Sequence, residues 1–259
     1  MRFGVCTGVE NLDRLAEAGY DYIELGVTSA LAPEKPEEEV MPRLQAAFAG
    51  SRLKAEAYNV LLPADLKVVG PETDTARQDR YLETAFRRAA ALGGQVAVFG
   101  SGGARGIPPG WTREEAERQI IDFLKRGGPI AERHGMQIVI EPLNVTECNI
   151  INSVTEGVRL AQAVDYPSVR VLSDLYHVDH DGQSYEETRD AAPLLRHVHV
   201  AGLGRRAPAS EDHEFLRGYF AVLKASGYGG RVSIEGSWED LAAQASESLA
   251  VLRRAWEEA

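Results

Sequence analysis

Short β-type runs alternate with longer amphipathic runs eight times along this chain, and that rhythm restricts the possible folds more than any composition figure. The strand segments read as Arg2–Thr7, Tyr22–Val27, Leu53–Tyr58, Gln95–Gly100, Gln137–Glu141, Val169–Asp174, Arg196–Val200 and Arg231–Glu235. Helical patterns fall near Asn11–Ala18, Glu37–Ala49, Asp74–Leu92, Arg113–His134, Ser153–Val164, Ser184–Ala191, His213–Ser226 and Leu241–Trp256. Strand, crossover helix and strand in repetition imply parallel pairing, and eight units are the number that closes a barrel. The expectation is an α/β fold, a single (β/α)8 barrel forming one domain over residues 1–259, with its active site at the C-terminal ends of the strands. Capping residues agree: Thr112 precedes Arg113-Glu114-Glu115, and Ser153 has Glu156 three residues later, the spacing of a capping box. Gly19, Gly50, Gly93, Gly135 and Gly227 stop helices just before the next strand. The long connections, Val60–Thr73, Ser101–Thr112, Val145–Asn152 and Gly202–Asp212, all follow strands, so they gather on one face where a covered site needs them.

Composition removes several classes of function. No stretch approaches the ~18 consecutive apolar residues of a membrane span, and the amino terminus lacks the pattern of a signal peptide, so the expected location is cytoplasmic, without a membrane partner. A net charge of −11 repels phosphate backbones, which argues against a nucleic-acid partner. Cys6 and Cys148 are too few for a disulfide framework and read as small buried thiols near strand ends.

The chemistry is concentrated at strand ends. Ile138-Val139-Ile140 runs into Glu141 and is stopped by Pro142; Asp174, His199 and Glu235 sit at the ends of three later strands. Alternation along a strand puts His197 and His199 on one side and Val198 and Val200 on the other. With the valines toward the helices, both histidines enter the barrel, as do Glu141, Asp174 and Glu235 by the same parity. Taken singly, each is adequately explained as a solvated rim residue. Together, three carboxylates converging on a histidine inside a packed barrel require a cation. Their mainly oxygen donor set suits Mn²⁺, Mg²⁺ or Co²⁺ better than a structural zinc. His177 reads as a substrate donor or a loop residue, and His134 and His180 as surface groups. Gly100–Gly106, rich in glycine, reads as a flexible lid segment, with Gly102–Trp111 over the mouth.

The ordered segments Ile140-Glu141-Pro142-Leu143-Asn144, Ser173-Asp174-Leu175-Tyr176-His177, His197-Val198-His199 and Ile234-Glu235-Gly236 resemble the motifs of the xylose isomerase-like TIM barrel superfamily, and among its members those of the D-tagatose and D-psicose 3-epimerases. The resemblance implies that Glu141, Asp174, His199 and Glu235 bind one divalent ion, Mn²⁺ first, with Co²⁺, Mg²⁺ or Zn²⁺ as alternatives. It implies that Glu141 and Glu235 also act as acid and base, that Glu147, His177 and Arg205 contact a sugar or polyol substrate, and that the chain forms a homodimer or homotetramer. The expected reaction is sugar isomerisation or epimerisation through an enediolate, with Trp111 and Trp238 as apolar walls. A dehydratase or lyase acting on a cyclitol or sugar acid begins with the same proton abstraction and stands as the alternative. A DNA-repair endonuclease of this superfamily needs further histidines where Ala57-Tyr58-Asn59 and Phe99-Gly100-Ser101 stand, and a non-catalytic binding subunit is the remaining reading.

Overall fold

The computed structural model describes residues 1–259. Eight parallel strands close into a barrel in sequence order: β1 (Arg2–Cys6), β2 (Tyr22–Gly26), β3 (Ala55–Asn59), β4 (Val96–Phe99), β5 (Gln137–Ile140), β6 (Val169–Asp174), β7 (Leu195–Val200) and β8 (Arg231–Ile234). Around it lie α1 (Leu12–Ala18), α2 (Glu37–Phe48), α3 (Thr75–Ala91), α4 (Gly102–Arg105), α5 (Arg113–Arg133), α6 (Val154–Val164), α7 (Leu175–His180), α8 (Glu186–Asp190), α9 (His213–Ala225) and α10 (Leu241–Glu258). The (β/α)8 expectation holds, and most predicted boundaries fall within one or two residues.

The strands are nearly continuous apolar runs because both faces are covered. Outward residues such as Ile138, Ile140, Val198 and Val200 pack beneath the helices. Inward ones, Tyr22, Ala57, Val96, Val98, Val139 and Leu172, fill the barrel as a separate small core. That interior packing is what leaves only the strand ends free for polar work.

Three local differences from the sequence reading have physical causes. Strand β3 begins at Ala55 rather than Leu53, because the Leu53 amide is taken by the Ser51 hydroxyl (3.1 Å) before the ladder starts. Pairing then skips a residue, with Ile23 opposite Ala55 and Glu24 opposite Ala57; the bulge turns Glu56 toward the barrel floor. There it accepts from Arg2 (2.5 Å) and Arg231 (2.8 Å). The predicted capping box at Ser153 is half formed: Ser153 accepts from the Glu156 amide (3.2 Å), while the Glu156 carboxylate takes the Asn152 amide one residue upstream (2.8 Å). The box at Thr112 is complete, with Glu115 as its partner.

Candidate active site

Register brings the polar strand ends together. Asp174 lies beside His199 across β6 and β7, and Cys6 lies beside Glu24 across β1 and β2. Glu141 and Glu235 each follow the last residue of their strand, and their backbone amides donate to Phe99 and Val200 of the strands beside them. Donor atoms of Glu141, Asp174, His199 and Glu235 consequently all lie within 4.8 Å of one another. All four side chains are buried except that of Glu235, which is 20% exposed at the mouth.

His199 is fixed from behind. Its Nε2–H donates to Glu24 Oε1 (3.0 Å), which turns Nδ1 toward Glu141 Oε1 (3.1 Å) and Glu235 Oε2 (3.5 Å); burial pulls the imidazole down, but Glu24 and Glu235 outweigh it and hold the ring well above its ordinary value. Glu24 in turn collects His197 Nε2 (2.7 Å) and the Ser233 hydroxyl (2.5 Å), and Tyr22 donates to Ser233 (2.8 Å). Burial alone raises the Glu24 carboxyl, but His199 and His197 outweigh it and hold the group well below the usual range. Glu24 is therefore a fully buried carboxylate, and the sequence reading missed it. The signal was present: Glu24 is a charged residue in the middle of an otherwise apolar strand, in step with Tyr22.

The three remaining carboxylates have different surroundings. Burial raises the Glu141 carboxyl, and the Glu235 charge adds to the shift. Burial also lifts Asp174, with the nearby Glu235 and Glu141 charges, to about 8. Glu235 is pushed up by burial too, yet His199, Arg205 and the Asn59 amide (2.9 Å) bring it down to about 2. One oxygen of Asp174 accepts from the Tyr176 amide (2.8 Å), while the other, Oδ2, is buried without a partner. An orphaned carboxylate oxygen clustered with two further carboxylates and an imidazole nitrogen is what a divalent cation fits.

The other predicted residues stand around this centre. His177 is buried; its Nδ1 accepts from the Asn144 amide (3.2 Å) and side chain (2.9 Å), so the proton is on Nε2, which has no partner and lies 3.6 Å from Asp174 Oδ2. Burial lowers the imidazole to about 4, making it a neutral donor. Arg205, in a left-handed conformation (φ 61°), bridges Glu147 (3.0 Å) and Glu235 (3.0 Å) and stacks over Tyr176 at 4.5 Å. A cavity of about 460 Å³ opens above, touched by Glu141, Glu147, Arg205 and Glu235 together with Val60 and Leu143.

Two expectations are corrected. Neither Trp111 nor Trp238 lines the cavity; Trp238 packs against the hydrophobic core, and the apolar wall is made by Val60, Leu62 and Leu143. The glycine-rich segment after β4 is not a loose flap: Gly102–Arg105 is a helical turn, and Arg105 is fully buried. Its guanidinium donates to the carbonyls of Phe99 (2.5 Å) and Glu141 (2.7 Å). As for the remaining histidines, His134 pairs with Glu83 (2.7 Å) and His180 with Asp181 (2.9 Å), both away from the centre.

Comparison with known proteins gives a consistent picture. The family model described as xylose isomerase-like TIM barrel matches residues 12–255. A 3-dehydro-D-guloside 4-epimerase of Escherichia coli K12 is 33% identical over 142 residues, a match that spans 52% of this chain and 53% of the relative. An L-ribulose 3-epimerase of Methylomonas is 28% identical over 245 residues, covering 93% of this chain and 82% of the relative. A solved D-psicose 3-epimerase of Clostridium cellulolyticum H10 superposes with a TM-score of 0.84 at 18% identity, over 99% of each chain, a likeness of fold.

Proposed function

Because the chain belongs to the xylose isomerase-like TIM barrel family, we propose that it is a divalent-metal-dependent sugar isomerase or epimerase acting on a ketose or a related polyol ketone. Relatives that match it are named as epimerases of sugars and as an isomerase of a 2-oxo-tetronate, which supports the coarse class. The observation that carries the finer reading is the pair of carboxylates, Glu141 and Glu235, both facing His199 Nδ1 at the floor of one cavity.

In this reading Glu141, Asp174, His199 and Glu235 hold one divalent ion, Mn²⁺ by donor type. Bound there, the ion would supply Lewis-acid polarisation of a carbonyl and its neighbouring hydroxyl, which acidifies the C–H of the hydroxyl-bearing carbon. One of Glu141 and Glu235 then takes that proton from one face of the sugar, leaving an enediolate, and the other returns a proton to the opposite face or to the adjacent carbon. His177 Nε2–H and Arg205 orient the substrate oxygens, and Glu147 holds Arg205 in place. The endonuclease reading has no support at β3 and β4, whose ends carry Asn59, bonded to Glu235, and Gly100.

The test is turnover of a panel of ketoses and inositol ketones by Mn²⁺-loaded protein in D₂O. The expected product carries deuterium at the inverted or newly protonated carbon with no loss of mass as water. A product lighter by one water would replace the epimerase reading with the lyase one.

A further inference from the structure

Arg205 is gripped along one line. Its guanidinium donates to Glu147 (3.0 Å) and to Glu235 (3.0 Å), and a flat fork held between two carboxylates can still tilt about the line that joins them. The contact that stops the tilt comes from a third side. The Tyr176 ring lies against the face of the guanidinium, 4.5 Å from its central carbon, a separation at which a cation is drawn to an aromatic face. Arg205 reaches this place from a left-handed backbone (φ 61°), a conformation that side-chain-bearing residues seldom adopt. Two hydrogen bonds hold it there: the Arg205 amide donates to the Gly202 carbonyl (3.0 Å), and the Ser237 amide donates to the Arg205 carbonyl (2.8 Å).

Tyr176 is itself pinned to the centre. Its backbone amide donates to Asp174 Oδ1 (2.8 Å), and its ring meets the His177 imidazole edgewise, with centroids 5.2 Å apart and planes at 61°. One residue therefore ties together the carboxylate at the end of β6, the His177 ring and the Arg205 fork. These ties run through the amide and the ring of Tyr176, not through its hydroxyl. The ring does not line the cavity, whereas Arg205 does, so Tyr176 reaches a ligand only through its neighbours.

We propose that Tyr176 is a positioning residue for the reaction: an aromatic platform that fixes the plane of Arg205, so that the donors Arg205 turns toward a substrate oxygen keep one direction. The inference rests on the sugar isomerase reading for the substrate that Arg205 meets; the platform itself is a property of the free protein. A mere space-filling role makes a different demand. Any apolar group of similar size packs against the stem of an arginine, whereas a platform needs the electron-rich face of the ring. Loss of such a face attraction corresponds to roughly three- to thirtyfold in an equilibrium constant.

The experiment compares wild type with Tyr176→Phe, Tyr176→Leu and a chain carrying pentafluorophenylalanine at position 176, whose ring has nearly the same outline but a reversed charge on its face. With Mn²⁺ bound and the best ketose of the panel as substrate, Tyr176→Phe is expected to stay within about twofold of wild type. The leucine and fluorinated chains should raise KM roughly three- to thirtyfold, with kcat moving less. Mn²⁺ affinity should be equal in all four, because Asp174 is met by the backbone amide, which every variant keeps. A fluorinated chain that matches Tyr176→Phe overturns the platform. So does Mn²⁺ affinity that falls in step with the rise in KM, since Tyr176 would then act on Asp174. A readout without substrate separates this idea from the isomerase reading: in protein loaded with diamagnetic Mg²⁺, the Arg205 side-chain protons should show an aromatic ring-current shift in wild type and Tyr176→Phe that is absent in Tyr176→Leu. That shift, with no sugar turned over by any chain, upholds the platform and removes the isomerase reading. Deuterium entering the ketose, with KM indifferent to fluorination and no such shift, does the reverse.

Discussion

At the scale of single residues, the centre depends on a carboxylate that never faces the substrate. Glu24 holds the Nε2–H of His199 and so decides which nitrogen of that ring faces Glu141 and Glu235. Outer groups of this kind typically account for about 10–100-fold in metal affinity, so Glu24→Gln should weaken Mn²⁺ binding by roughly that factor while the barrel stays folded. Undiminished affinity in a calorimetric titration would remove Glu24 from the metal's support. In the same titration, wild type is expected to take up one ion per chain, and Asp174→Asn or His199→Ala to lose tight binding. The pH dependence follows from Asp174, whose carboxyl, raised by burial to about 8, must give up its proton to become a ligand. Affinity therefore rises with pH through about 8, and loading releases protons, since the His199 imidazole, held well above its ordinary value by Glu24 and Glu235 despite its burial, must also be free of its proton at the nitrogen that faces the ion. Glu141, Asp174, His199 and Glu235 were legible in the sequence because each closes an apolar run at the end where such barrels carry polar groups. Glu24 was missed although its charge stands out inside an apolar strand, because what it holds shows only once its partners on β7 and β8 are in place. The tryptophans misled because loop position says nothing about where a ring points.

Among the elements, it is the strand ends that set tolerance. A methyl group added at Gly100, just past β4, would land on the Oε2 atom of Glu141. Gly100→Ala should therefore displace that carboxylate and lower kcat/KM on the order of a hundredfold, the effect of an ångström-scale misplacement, with little change in the melting curve. Wild-type kinetics in this variant would mean that Glu141 works from another position. The long elements were readable in advance, since a buried parallel strand is a continuous apolar run and a surface helix keeps its stripe. The turns α4 and α7 were not, although α8 was, within Ser184–Ala191. Each of the two spans at most six residues, too few for periodicity to show, and each is anchored to other elements by its own side chain, α4 through Arg105 on the Phe99 and Glu141 carbonyls and α7 through His177 on Asn144.

For the molecule as a whole, the two ends of the barrel divide the work. The top carries the carboxylates and the cavities; the floor carries Glu56 between Arg2 and Arg231, closing the interior with paired charge. Glu56→Ala leaves Arg231, a largely buried arginine, without its counter-charge, which should cost about 3 kcal/mol and roughly 6–12 °C in Tm. Metal affinity and kcat/KM should be nearly untouched, since the change lies a barrel's length away from the reaction. Thermal melting and kinetics on one preparation check both halves of that statement.

Arg105 gives the heated protein a particular behaviour. By clasping the carbonyls of Phe99 and Glu141, it works as one more rung joining β4 to β5 just where their own ladder runs out. The two strand tips are latched, so the first parts to loosen on warming are the outer loop tips and not the strand end that carries Glu141. Activity lost during a temperature ramp should then coincide with loss of the far-ultraviolet helical signal. A decline in turnover many degrees before the helices melt would show that the latch opens on its own.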